Sequence, residues 1–246
     1  MANKNDSLEE VRQFLDAEIY KPEPQLNIDL HEGRHPFVTI SRQTGAGGHT
    51  LAKTLLKRMD QEKNPLFDDW QMFDHELCMK ILQDPKLKVS LRALLNEEYH
   101  SQIADMIYEL IEGYSPQSKV VATIFQALRT LATFGKVILV GRAGSCVTRA
   151  LPGGVHVRLV DAKPNRIRRM EEIFHLTEEQ AKKQVQEQDV ARARLVKDYF
   201  NRDIEDPLLY DVVWNTDTVP MEMIAEGILQ MVKARAKMPA ACCSHG

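Results

Sequence analysis

The residues best suited to chemistry lie in one stretch, Phe37 to Met59, which reads FVTISRQTGAGGHTLAKTLLKRM. Phe37 to Ile40 is a short apolar, β-rich run, and Leu51, Leu55, Leu56 and Met59 recur at helical spacing. Gly45, Gly47 and Gly48 therefore fall on a strand-to-helix turn. Backbone amides unencumbered by side chains, at the start of a helix, can converge on one anion. The turn is a candidate cradle for a phosphate chain, with Ser41, Thr44, Gly45, Ala46, Gly47, Gly48, His49 and Thr50 as its residues; a purely structural glycine turn is the plainer alternative. Laid over the Walker pattern GxxxxGK[ST], Arg42 falls on the first glycine, Gly47 on the second, Gly48 on the lysine and His49 on the hydroxyl residue. Arg42 offers a cation within the same loop, and Thr50 a hydroxyl one residue late.

Three other places carry candidate groups. Asp74, His75 and Glu76 follow the short run Gln71 to Phe73, with Asp74 as the N-cap of a helix. That is the strand end where ligands of open α/β sheets collect, although solvated first-turn acids explain the same residues. Arg142 follows VILV on a second strand-to-helix turn, where a guanidinium can grip a phosphate bidentately. The charged run Thr177 to Asp206 reads either as a solvated helix with opposite charges three or four apart or as a lid. In the second reading Arg192, Arg194, Lys197 and Arg202 close over a triphosphate, exclude water and neutralise charge developing during transfer.

The elements that must position these groups alternate in type. Ser7 to Tyr20 is an amphipathic helix with a Ser7/Glu10 capping signal, which packs on the domain or pairs two chains as a homodimer. Lys21 to His35 is a connector. The first strand and its helix, His49 to Met59, are followed by a second strand at Gln71 to Phe73. A helix-prone segment over residues 86–116 forms an insert, and Gln117 to Phe134 is a helix stopped by Gly135. Strands at Lys136 to Val140, Val155 to Val160 and Tyr210 to Trp214 alternate with helices at Lys163 to Phe174 and Met221 to Lys237. This order predicts an α/β fold: a three-layer α/β/α sandwich around a five-stranded, largely parallel sheet. The expected domain covers residues 36–237, with residues 1–35 before it and a flexible tail at 238–246.

Composition narrows the functional classes. The 246 residues are 43% hydrophobic, enough for one sizeable domain, and the net charge of -3 offers no global basic field for nucleic acid. No apolar run approaches a membrane span and the first ten residues are polar, which predicts a soluble cytoplasmic protein with no membrane partner. Cys78 and Cys146 sit in apolar helical contexts as small buried hydrophobes, and Cys242, Cys243 and His245 crowd a tail without other ligands at finger spacing.

The segments TISRQTGAGG, FDHEL, VILVGRAGS, HVRLV, the D-x-x-R at Asp189 to Arg192 and YDVVWNTD occur in that order between Pro36 and Val232. In order and spacing the chain resembles the cytidylate kinase-like branch of the P-loop nucleoside monophosphate kinases. The resemblance implies a P-loop NTPase-like fold with a helical insert and a lid over residues 177–206. It implies transfer of the ATP γ-phosphate to a pyrimidine nucleoside monophosphate such as CMP or dCMP, with ATP and Mg2+ as cofactors and the nucleotide as the main partner. Residues 45–50 would then hold the donor, Asp74, His75 and Arg142 the acceptor, and Arg42, Arg192 and Arg194 would supply catalytic charge. The chain departs from the cytidylate kinases proper at Gly48 and His49, where they carry lysine and serine, and at Val140 and Ala143, where they carry aspartates. These changes remove a phosphate cation, two metal contacts and a residue that helps recognise cytosine. A nucleotide-binding sensor without turnover, and an assembly protein with a vestigial pocket, are the competing expectations.

Overall fold

Val38 and Ile40 alternate with Phe37 and Thr39 along the first strand, yet all four are buried, so this strand must be covered on both faces. The computed structural model, which describes residues 35–74, 77 and 116–238, places it at the centre of the sheet. The elements are β1 (Phe37–Arg42), α1 (Gly48–Gln61), β2 (Gln71–Phe73), α2 (Pro116–Phe134), β3 (Val137–Val140), α3 (Gly144–Val147), β4 (Gly154–Val160), α4 (Lys163–Phe174), α5 (Glu178–Phe200), β5 (Val212–Asn215) and α6 (Met221–Arg235). The Ser7 helix with its suggested homodimer contact, the helical insert, His75, Cys78 and the cysteine tail lie outside the described residues.

The sheet order is β2-β3-β1-β4-β5, and all four strand pairs are parallel. The expected five-stranded sheet is thus parallel throughout. On one face Val38, Ile40 and Val157 meet Leu51 and Leu55 of α1 and Ile228 and Leu229 of α6. On the other, Phe37, Phe73 and Leu139 meet Phe125, Leu128 and Leu131 of α2 and Val147 of α3. These two apolar layers make the predicted sandwich. The chain leaves β1 toward the β2 edge and leaves β4 toward the β5 edge, so a crevice opens between their carboxyl ends.

The long helix α5 begins with a reciprocal capping box between Thr177 and Gln180. Ala181 and Val185 near its start pack on Ile167 and Met170 of α4. At its far end Tyr199 and Phe200 meet Phe125 at ring distances of 5.5 and 5.3 Å. Both ends of α5 are therefore fixed to the body, and its middle spans the crevice. The fifth strand starts at Val212, two residues later than its apolar pattern predicts. Asp206 caps a 3-10 turn at Pro207–Leu209 by accepting from the Leu208 amide at 2.9 Å. Tyr210 is thereby held out of the strand, with its hydroxyl donating to the Ile204 carbonyl at 2.9 Å.

His156 of β4 is 5% exposed, its Nδ1 lies 2.8 Å from Thr39 Oγ1, and its ring edge packs on Phe37. Burial pushes its pKa down to about 4 although Asp211 opposes the shift. The imidazole is neutral in the folded state. The unfolded chain takes up a proton near the ordinary histidine value, so this contribution to stability is complete at neutral pH and declines as pH falls toward 4. Denaturant melts from pH 7 to pH 4 should show wild type losing on the order of 2 kcal/mol more than His156→Gln. Parallel curves for the two proteins would contradict a neutral buried imidazole.

Candidate functional site

The glycine turn leaves β1 at the crevice. Gly47, at φ 88°, is the N-cap of α1, and the first intrahelical bond runs from the Leu51 amide to the Gly47 carbonyl at 2.8 Å. The amides of Gly48, His49 and Thr50 belong to the unpaired first turn of the helix, where the helix dipole also favours an anion. Arg42, the last residue of β1, bends back across this turn. A Cβ on Gly48 would lie 3.0 Å from the Arg42 Cγ, and a Cβ on Gly141 would lie 1.8 Å from its Nη1. The guanidinium occupies a lane that exists because both positions lack a side chain. Gly48, standing where a lysine is expected, is what lets Arg42 pass.

Arg42, Arg142 and Arg192 line one cleft, with Ser41 and Tyr210 on its polar side and Leu195 and Val196 on its apolar side. Arg142 reaches it from a turn in which Arg142 and Ala143 both adopt left-handed backbone, at φ 54° and 53°. For non-glycine residues this costs about 1 kcal/mol or more each. Burial, then Arg192, then Arg142 press the Arg42 pKa down to about 9, and Asp74 opposes them. Burial also lowers that of Arg192, with Asp189 opposing and Arg142, Arg158 and Arg166 adding to the fall. At neutral pH the guanidiniums stay charged and repel one another. The Arg42 guanidinium donates no hydrogen bond among the described residues, so an anion entering the cleft would relieve the repulsion and satisfy its donors.

Helix α5 is tied to the loop by one carboxylate. Asp189 Oδ1 accepts from both the amide and the hydroxyl of Thr44 at 2.7 Å, and its Oδ2 accepts from Arg166 Nη1 at 2.6 Å. Arg166 also donates to the Thr44 carbonyl at 3.1 Å, and Arg192 to the Thr44 hydroxyl at 2.7 Å. Behind the loop, Arg169 pairs with Asp161 at 2.9 Å and donates to the Gly45 carbonyl. The cleft floor is built the same way. Arg158, 2% exposed in the middle of β4, donates to Ser41 Oγ at 3.0 Å and pairs with Glu205.

The structure thus brings Ser41, Arg42, Arg142 and Arg192 together, with Arg42 lying against Gly48, while Gly45 packs on Arg166 and Gly47 on Met221. Ala46 is buried with the α1 and α6 core. Ser41 lies on the cleft floor with its Oγ 3.2 Å from the Tyr210 hydroxyl, and Thr44 is turned to α5. Thr50 is exposed on the first turn of α1. Arg194 is not brought to the cleft. Two residues beyond Arg192 is roughly 200° around a helix, and Arg194 lines a separate groove with Glu187, Asp198 and Tyr199. Lys197 is likewise occupied at the end of α5, donating to Asn201 Oδ1 at 2.9 Å. Asp74 accepts from the Leu77 amide at 2.9 Å through Oδ1, the bond an N-cap makes, while its Oδ2 lies 3.1 Å from His49 Nε2. Sequence reasoning missed Arg158, Arg166, Arg169, Asp161 and Tyr210. A charged residue inside the apolar run HVRLV was the one available signal, for Arg158.

The oxygen donors that hold magnesium in a lysine–serine loop are not reproduced. Position 49 carries an imidazole, Val140 is a buried hydrocarbon at the end of β3, and no group of three or more His, Cys, Asp or Glu gathers among the described residues. The chain does not fit that form of magnesium site.

A parallel sheet in this order, a glycine turn leaving its central strand and an arginine-bearing helix folded across that turn define a P-loop kinase-like protein. A family model matches residues 37–218, and the chain belongs to the cytidylate kinase-like family. Among solved structures, an uncharacterized protein from Eubacterium ventriosum shares the fold with a TM-score of 0.63, at 18% identity over 82% of this chain and 99% of that one. A shikimate kinase from Acinetobacter baumannii in complex with shikimate matches at a TM-score of 0.42, 16% identity, and 82% and 96% coverage. A second shikimate kinase, from Bacteroides thetaiotaomicron, matches at 0.44, 12% identity, and 80% and 98% coverage. No curated protein matches the chain. No helix among the described residues is long and apolar enough to cross a membrane.

The Asp189 clasp yields a direct test. Asp189→Asn removes the charge from hydrogen bonds to Thr44 and Arg166, and should cost about 1–2 kcal/mol given the partial exposure of the carboxylate. Hydrogen exchange should accelerate at residues 43–46 and in the middle of α5 and leave α6 unchanged. Unchanged exchange at the loop would show that the lid is held elsewhere.

Proposed function

We propose that the protein is an ATP-dependent phosphotransferase acting on a pyrimidine nucleoside monophosphate of the CMP or dCMP type. The observation that carries this reading is the convergence of Arg42, Arg142 and Arg192 on one cleft, with the Arg42 side chain lying across Gly48 at the first turn of α1. Phosphoryl transfer asks a protein mainly for alignment and for charge at the equatorial oxygens of the moving group. In this reading the α1 amides hold the donor phosphates and Arg42 does the work of the missing lysine. Arg142 holds the acceptor phosphate. Arg192, carried by the lid, neutralises charge as the acceptor oxygen bonds to the γ-phosphorus and the bond to the β-phosphate oxygen breaks, releasing the nucleoside diphosphate and ADP. The apolar wall at Leu195 and Val196 keeps water from competing with the acceptor. A divalent cation bound with the nucleotide would screen the phosphate charge. The family membership supports a nucleotide substrate, and a reaction that draws on ATP suits a cytoplasmic setting.

Initial rates with ATP and CMP, dCMP or UMP test the reading, with formation of the corresponding diphosphate expected. Binding of ATP without any product would favour a nucleotide sensor instead. Arg42→Ala should lower kcat by about a hundredfold or more. Arg58→Ala, which removes an outer-surface pair with Glu226 at 2.7 Å, should change it by less than about threefold. Equal losses would remove Arg42 from the mechanism. Arg142→Ala should raise the acceptor KM more than the ATP KM, and an unchanged acceptor KM would place the acceptor phosphate elsewhere.

A further inference from the structure

His49 and Asp74 stand at the edge of the glycine turn on different elements, α1 and the end of β2. Their side chains meet head-on. His49 Nε2 and Asp74 Oδ2 are 3.1 Å apart, with the imidazole half exposed and the carboxylate three-quarters covered. As an ion pair at this exposure they contribute little to stability, roughly 0–1 kcal/mol. As metal ligands they are spaced correctly. Two donors in neighbouring octahedral positions, each about 2.1–2.2 Å from the ion, lie about 3.0–3.1 Å apart. The carboxylate is also pre-oriented: Oδ1 is held by the Leu77 amide at 2.9 Å, which leaves Oδ2 facing His49.

We propose that His49 and Asp74 are the protein's share of a divalent-cation site at the mouth of the phosphate loop, and that it selects manganese-type ions over magnesium. The selectivity follows from the donor set. Magnesium is hard, prefers oxygen and parts reluctantly with water, whereas an imidazole nitrogen suits first-row transition ions. An ion held by Nε2 and Oδ2 sits to one side of the line between them and replaces their hydrogen bond, the imidazole hydrogen then residing on Nδ1. Arg42 feels the charge of Asp74 and therefore opposes a bare cation there. A polyphosphate on the turn would neutralise Arg42 and supply further oxygen ligands, so the ion and nucleotide should tighten each other's binding. Asp74 is thereby a metal ligand and not, as its place at the strand end suggests, a contact for the acceptor. The coupling to nucleotide rests on the phosphotransferase reading; binding of the ion to the bare pair does not.

The test uses the full chain labelled with 15N-histidine and titrated with manganese chloride alone, the His49 signals being identified by their loss in His49→Ser. Paramagnetic broadening should reach His49 at less than a tenth of the manganese concentration needed for any other histidine, and more than a tenfold excess of magnesium should be needed to reverse it. Asp74→Asn keeps an oxygen for the Leu77 amide, because asparagine accepts from such an amide as well as aspartate does, and should abolish the selective broadening while leaving the melting temperature within a few degrees of wild type. With ADP present the manganese titration should shift to lower concentration, and His49→Ser should bring the apparent affinities for manganese and magnesium to within about threefold. Broadening of His49 no earlier than the other histidines, reversal by equimolar magnesium, or undiminished broadening in Asp74→Asn would each overturn the site. Selective manganese binding without phosphorylation of any nucleotide would leave the site standing and remove the phosphotransferase reading; turnover without selective binding would do the reverse.

Discussion

Like charges crowded at one edge of a sheet set the terms for most of this molecule. Arg42, Arg142 and Arg192 line one cleft, and burial makes the charges of Arg42 and Arg192 costlier than at the surface. The surrounding structure holds them there regardless. Two apolar layers clamp β1, a left-handed turn presents Arg142, and a helix anchored at both ends delivers Arg192. Removing one partner from a buried charge network is more costly than the network itself is stabilising. Asp189, 3.7 Å from Arg192, offsets part of this repulsion, and an anion in the cleft would offset more.

Around the cleft runs a lattice of opposite charge that keeps the loop in shape. Asp189, Asp161 and Glu205 are each matched by an arginine from α4 or β4, and two of these arginines also reach loop carbonyls. The glycine turn is thus stabilised from behind by groups outside the cleft lining. Helix α5 and the loop share the Thr44 clasp, so the position of α5 and the geometry of the turn form a single mechanical unit. A change in either is felt by the other.

Most of the architecture was legible from period and punctuation. The buried run at Phe37, the helical stripe from Leu51 to Met59 and the VILV strand each announce their element, and their alternation implies the parallel sheet. Tyr210 escaped because Tyr-Asp-Val-Val reads as alternating strand, whereas the 3-10 turn that Asp206 caps runs on to Leu209 and delays the strand to Val212. The cleft was half legible. Arg42 and Arg142 follow strands directly and so must sit at the carboxyl edge, but Arg194 and Arg192 differ only by their angle around a helix whose polar faces look alike. The support behind the loop was invisible, since Arg166 and Arg169 lie in an ordinary charged helix pattern and acquire meaning only where α4 meets the turn.

The bare positions at 48 and 141 carry a historical implication. With the Arg42 side chain lying across both, a β-carbon at 48 would crowd its Cγ at 3.0 Å and one at 141 would push its Nη1 aside, so a side chain at either position competes with the arginine for one lane. A descendant that acquired a lysine at 48 would have to displace Arg42 from its present path. Two solutions to one electrostatic problem thus compete for the same space. Lineages that entered the arginine solution would then tend to remain in it, however far the rest of their sequence drifts.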